Sequence, residues 1–260
     1  FVLYGSFSFQ RFTQSETTQL LNTSNYQNTS IIQKNDINGL PKPIKKWLEQ
    51  SGMIGKPCIN VGKVIQNAEL KMKPEQEGYM KAKALQYSII DKPSFIWMVD
   101  VEMNSFLYFQ GRDKFENGKG EMLIKMNSLI SVVDEKGEKI DEGSMQRYLG
   151  EMAWFPSLAL SPYIVWEEVN DTTAIATMNY NGSKASGTFY FYQEGDFVKY
   201  TAMRFMGNED DAKRHEWILL VDAYKSFEGI KVPSKMTATW KLDDGDWTWL
   251  KLEIIDIEYN

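Results

Sequence analysis

The chain has one cysteine, Cys58, and one histidine, His215, in 260 residues. One thiol excludes a disulfide framework and any zinc site built on several cysteines. One imidazole excludes multi-histidine metal centres. A Ser-His-Asp triad would have to use His215, but no G-x-S-x-G elbow accompanies it and no aspartate partner is identifiable. His215, between Arg214 and Glu216, reads instead as a loop or strand-edge residue. Phosphate-binding and dinucleotide-binding glycine motifs are missing. The Glu209-Asp210-Asp211 run lacks the spacing of a calcium loop and reads as a solvated turn. No metal or cofactor is therefore implied. Basic charge is also in short supply: 29 Lys and Arg face 35 Asp and Glu, for a net charge of −6. Those cations are scattered rather than massed, which argues against a nucleic-acid partner, since such a surface needs a basic stripe. No run of ~20 apolar residues is long enough to span a bilayer.

Bulky apolar side chains are plentiful: 8 Trp, 13 Tyr, 14 Phe and 13 Met. They must fill a large core or line a cavity, and Met in particular repacks easily around flexible ligands. Their spacing is mostly period two, the mark of half-buried strands. Val64, Ala68, Leu70 and Met72 alternate with polar residues, as do Phe95, Trp97, Val99 and Val101. Further strands follow at 105–115 and 122–133, and the alternation of 79–90 slips near Leu85, which predicts a bulge. After position 163 the pattern resumes, with turns at Asn181-Gly182 and Glu194-Gly195-Asp196 and a last hairpin from Met236 to Tyr259. About eleven strands joined by short turns predict an antiparallel meander. Two segments break this rhythm. A helix near 42–51 carries Ile44, Trp47 and Leu48 on one face, and a central helix near 144–161 is interrupted by Pro156.

The predicted fold is therefore mainly β (α+β): a large curved antiparallel sheet or unclosed barrel, with the central helical insertion packed on its concave face. Residues 1–39 read as an N-terminal extension and linker with a short helix around 16–21, and residues 40–260 as one curved-sheet domain. The opening F-V-L-Y-G-S-F-S-F has two readings: an edge strand, or the tail of a removed targeting segment or anchor. The second would place the chain near a membrane, in the periplasm or anchored outside the cytoplasm. Nothing in the sequence sets the oligomeric state.

The blocks R-D-K-F-E-N-G-K-G-E at 112–121, R-Y-L-G-E-M-A-W-F-P at 147–156, V-W-E-E-V-N at 165–170 and G-I-K-V-P at 229–233 resemble a bacterial family of unknown function. The likeness extends through L-P-K-P-I-K-K-W-L and Q-Y-S-I-I-D-K-P-S-F-I-W, over roughly 40–259. No established active site comes with it. The order of elements is also similar, at fold level only, to the LolA/LolB lipoprotein carriers. That resemblance implies an unclosed barrel whose helices cover an apolar cavity for acyl chains; fold likeness does not fix function.

Several residues are candidates for a site. Arg147 and Glu151 lie four apart and can pair on one helix face, an arrangement worth ~0.3–0.5 kcal/mol at a surface. Their neighbours Met152, Trp154, Phe155 and Pro156 form the bulkiest apolar cluster in the chain, and beside it a carboxylate could serve as an anchor or an acid. Arg112 is a further candidate, with the adjoining Asp113 read as turn chemistry. Arg204 faces outward by default, although an inward orientation would bind an anionic head group. Trp97 and Trp240 are expected to line the concave face. The leading expectation is a non-enzymatic module holding a lipid or similar apolar ligand between the curved sheet and the central helix. The alternatives are an enzyme acting on an envelope or lipid-like substrate with Glu151 as acid or base, and an interaction protein with a fully packed core.

Overall fold

A computed structural model describes residues 2–24, 29–104 and 107–260. Strands β1 (Val61–Leu70), β2 (Met80–Ile89), β3 (Ser94–Asn104), β4 (Leu107–Glu116), β5 (Lys119–Met126) and β6 (Ile130–Lys136) form a first meander. Helix α3 (Glu138–Gly150) follows, then two short 3-10 turns, Glu151–Trp154 and Pro156–Leu160. The second meander is β7 (Ile164–Asn170), β8 (Thr173–Tyr180), β9 (Ser183–Phe191), β10 (Phe197–Phe205), β11 (Arg214–Phe227), β12 (Ile230–Leu242) and β13 (Gly245–Tyr259). Antiparallel pairing of β1 with β13 joins the two into one 13-stranded sheet whose edges are β6 and β7.

The sheet curls into a half-barrel, as expected of so many twisted strands. Its two halves meet where Ser183 Oγ, beside the β8–β9 turn, donates to the Gly118 carbonyl of the β4–β5 turn at 2.7 Å. Helix α3 crosses the concave side and packs on both β5 and β9. With the 3-10 turns it forms a plug: Tyr148, Leu149, Met152, Trp154, Phe155 and Leu158 are all essentially inaccessible. Each such burial contributes about 1.5–3 kcal/mol. Close approach is bought with small residues. A methyl group on Gly62 of β1 would sit 1.9 Å from the Phe155 ring. Helix α2 (Lys42–Gln50) inserts Trp47 between the rings of Phe191 and Phe197 at one end of the sheet.

Four expectations need correction. The first helix, α1 (Val2–Leu21), is much longer than the stretch read around 16–21, so residues 2–9 are helical rather than an edge strand; Phe1 lies outside the described residues. Helix α3 begins at Glu138, not near Ser144, because Gly137 ends β6 and acidic Glu138 and Asp141 favour its first turn. The expected strand over 122–133 is two strands, β5 and β6. They are separated by Asn127 and Ser128, which turn the chain with positive φ and no glycine to announce it. The start of the expected strand at 105–106 lies outside the described residues.

The fourth correction is at Leu85. Pairing of β1 with β2 and of β2 with β3 runs without a shift through this position; the irregularity lies between Ile65 and Gln66 against β13. Polarity had misled. Gln86 and Ser88 point into the curl, while Tyr87 faces the opposite side, where α1 covers Val61, Ile89 and Ile96 with Leu20 and Leu21.

Candidate functional site

Strand register places Gln86, Trp97 and Asp113 side by side across β2, β3 and β4, all facing inward. Helix α3 lowers Arg147 onto this row. Arg147 Nη1 donates to Asp113 Oδ2 at 2.8 Å, Nη2 to Gln86 Oε1 at 3.0 Å, and Nε to Glu151 Oε1 at 2.7 Å. Its guanidinium also lies over the rings of Phe95 and Trp97, 4.7 and 4.8 Å from their centroids. Gln86 Nε2 donates to the second Glu151 oxygen at 2.6 Å, and Trp97 Nε1 to Gln66 Oε1 at 2.9 Å. A polar layer therefore crosses the interior. On one side of it lies the packed plug. On the other, β2, β3 and β4 present Ala82, Ala84, Val99, Val101 and Gly111.

The Arg147–Glu151 pair is thus not a surface ion pair, since its side chains are only 15% and 7% exposed. Both Glu151 oxygens are engaged by donors, which fixes the orientation of the group. Asp113 is not turn chemistry but an inward residue in mid-strand. Burial raises its pKa, against the pull of Arg147, Arg204 and Arg112. Yet its side chain keeps 24% of its surface accessible, so a space reaches this depth of the curl.

The opposite wall is a row of indoles. Trp217, Trp240 and Trp247 are in register across β11, β12 and β13. Arg204 of β10 turns inward, contrary to the default reading, because it shares the face of Tyr200 and Ala202 and sits against Gly143 of α3. Its guanidinium lies 4.7 Å from the Trp217 ring centroid and 5.9 Å from that of Trp240. Burial and the neighbouring Arg147 draw its pKa down to about 10, opposed by Asp113; it stays charged at neutral pH. Among the described residues no oxygen forms a hydrogen bond or ion pair with it. The buried Nε1 groups of Trp217, Trp247 and Trp249 also lack acceptors. Two of the three indoles in the row, Trp217 and Trp247, are therefore donors without acceptors among the described residues.

The remaining candidates fall elsewhere. Arg112 faces the outer side of β4, where it meets Glu16 of α1 at 3.0 Å and Glu121 at 3.1 Å. Met152 and Trp154 belong to the packed plug, with Trp154 Nε1 donating to the Pro233 carbonyl at 3.2 Å. Gln86, Trp217 and Trp247 are not candidates from the sequence, and Asp113 reads there only as turn chemistry. The signal that could have found them is polar residues on the buried parity of a strand, and tryptophans recurring at matched positions of consecutive strands.

No curated protein matches this sequence. Among solved structures, a LolA superfamily protein from Nitrosomonas europaea superposes with a TM-score of 0.44 at 10% identity, over 84% of this chain and 93% of that one. A β-barrel-like protein of domain of unknown function DUF1849 from Brucella abortus gives 0.26 at 7% identity, over 78% of this chain and 98% of that one. The profile of a family of unknown function, DUF6544, matches residues 30–252. The chain belongs to that family.

Proposed function

We propose that this protein binds an amphiphile with an acidic head group, placing the head at Arg204 and the tail along the apolar strand ends beyond the polar layer. The observation that carries this reading is Arg204, a charged inward guanidinium resting on Trp217 and Trp240 without an oxygen partner among the described residues. A charged donor without an acceptor gains from a charge-assisted hydrogen bond, so a ligand that supplies acceptors at Arg204 is favoured. The unsatisfied indole N–H groups of Trp217 and Trp247 ask for the same chemistry. Arg147 and Glu151, neutralised within the polar layer, frame the head group together with Trp97. A tail contributes ~0.8 kcal/mol for each methylene taken out of water.

Native mass spectrometry of the full chain, purified without detergent, tests the reading. A bound acidic amphiphile is expected on the wild type and should be depleted at least tenfold in Arg204→Leu. Wild-type protein that carries no adduct, and takes none up when mixed with decanoate, defeats it.

A further inference from the structure

The sheet is continuous by strand order but not along its whole length. β9 and β10 pair only from Phe191–Phe197 to Thr188–Thr201 and then diverge. Beyond that point lies an open groove of about 540 Å³, walled by β9 and β10 and floored in part by Glu142 and Gln146 of α3. The two strand edges facing it differ. On β10, the Met203 carbonyl already accepts from Gln146 Nε2 at 3.0 Å and Arg214 Nη1 at 2.9 Å. On β9, no side chain among the described residues caps the backbone of 184 or 186 in this way.

Strand parity says which β9 groups are free. Asn181 and Gly182 both have positive φ, so they form a tight two-residue turn whose flanking residues, Tyr180 and Ser183, make the closing hydrogen-bonded pair. Odd-numbered 183, 185 and 187 therefore bond back to β8, and 184 and 186 point their N–H and C=O toward the groove. Two further groups ask for partners. Gln146 is 2% exposed, lines the groove, and has a buried Oε1 without a donor. Lys184 stands at the rim with no carboxylate partner among the described residues, whereas the nearby Arg214 is held by both oxygens of Glu142 at 2.6 and 2.7 Å.

We propose that residues 183–187 of β9 accept an extended, acidic-residue-bearing segment of a partner protein as an added strand in this groove. A peptide backbone is the ligand that supplies alternating N–H and C=O groups at strand spacing, which the free edge and the Gln146 carbonyl both require. An acidic side chain beside it would pair with Lys184. The groove faces outward between two walls, so the added strand is cradled, unlike one laid on the flat outer edges of β6 or β7. This site is separate from the amphiphile site on the concave face.

A random dodecapeptide library displayed on phage, selected on the full chain, is the probe. Enriched peptides should carry Asp or Glu, bind the full chain, and slow hydrogen exchange at the Lys184 and Ser186 amides. N-methylation of alternate peptide residues should weaken binding at least tenfold. Ser186→Pro should do the same. The N-methylated peptides keep the test decisive even if Ser186→Pro fails to fold. Three results overturn the proposal: no enrichment over a bare-surface control, protection at β6 or β7 instead, or binding indifferent to N-methylation.

Discussion

Two inward arginines, one in the polar layer and one on the indole wall, have opposite circumstances. Arg147 is engaged at all three nitrogens, with Asp113, Glu151 and Gln86 each accepting from a different one. Replacing it by Met would strand two carboxylates in the interior. Urea unfolding of Arg147→Met should show a loss of about 3–5 kcal/mol, the cost of breaking a buried pair from one side. Arg204 has only ring faces beneath it, so Arg204→Leu should unfold within about 0.5 kcal/mol of wild type or at higher urea, the pattern of a residue kept for function at some expense of stability. Asp113 adds a pH signature. Its folded pKa is raised above the ordinary value of 3.8, so just above pH 3.8 the folded chain holds more protons than the unfolded one. By linkage, this group makes the protein gain stability as pH falls through its folded pKa toward 3.8. Asp113→Asn lacks that component. Its stability relative to wild type should therefore decline between pH 7 and pH 4, measured by urea unfolding at each pH.

Among the elements, α3 packs on the concave face of the sheet and α1 on the outer face of β2 and β3. The α3 plug depends on close contact with glycines in the sheet, and Gly62→Ala would drive a methyl into the Phe155 ring. Because Phe155 is fully buried it has nowhere to turn, and a thermal melt should report a loss of about 1–3 kcal/mol. On the outer face, α1 supplies Glu16 to Arg112, whose side chain is 4% exposed. This second covered face explains where reading the sequence succeeded and failed. Period two was plain wherever one face met water, and so the meander and the central insertion were legible, although the helix expected over 144–161 ends at Gly150 and gives way to 3-10 turns before Pro156. Under α1 both faces of β2 and β3 are covered, so Tyr87, Ile89 and Ile96 are apolar on the outer parity and Gln86 and Ser88 polar on the inner one. The alternation inverts there, and with it the visibility of Gln86 as a site residue. Asp113 and Arg204 were hidden for a related reason: a charged residue in a strand is assigned to solvent unless the opposite wall is known. That wall, the Trp217–Trp240–Trp247 row, is assembled from strands that only the register brings together.

For the whole molecule, the half-barrel divides its interior into a dry plug, a charged layer and the buried apolar strand ends at Ala82, Ala84, Val99 and Val101. The plug side offers no room, with Met152, Trp154 and Phe155 sealed. The charged layer keeps accessible surface at Asp113 and faces the acceptor-poor indole wall. Anion selectivity is the property that follows from this arrangement and that a merely greasy cleft would lack. The direct test is a pair of titrations that hold the tail constant and reverse the head: decanoate against decyltrimethylammonium, both below micelle formation, followed by tryptophan emission. The prediction is that decanoate binds the wild type at least tenfold more tightly, a difference of about 1.4 kcal/mol or more, and that Arg204→Leu removes the preference. Equal affinity for the two heads, or a preference that survives Arg204→Leu, would contradict the assignment of Arg204 as the anchor.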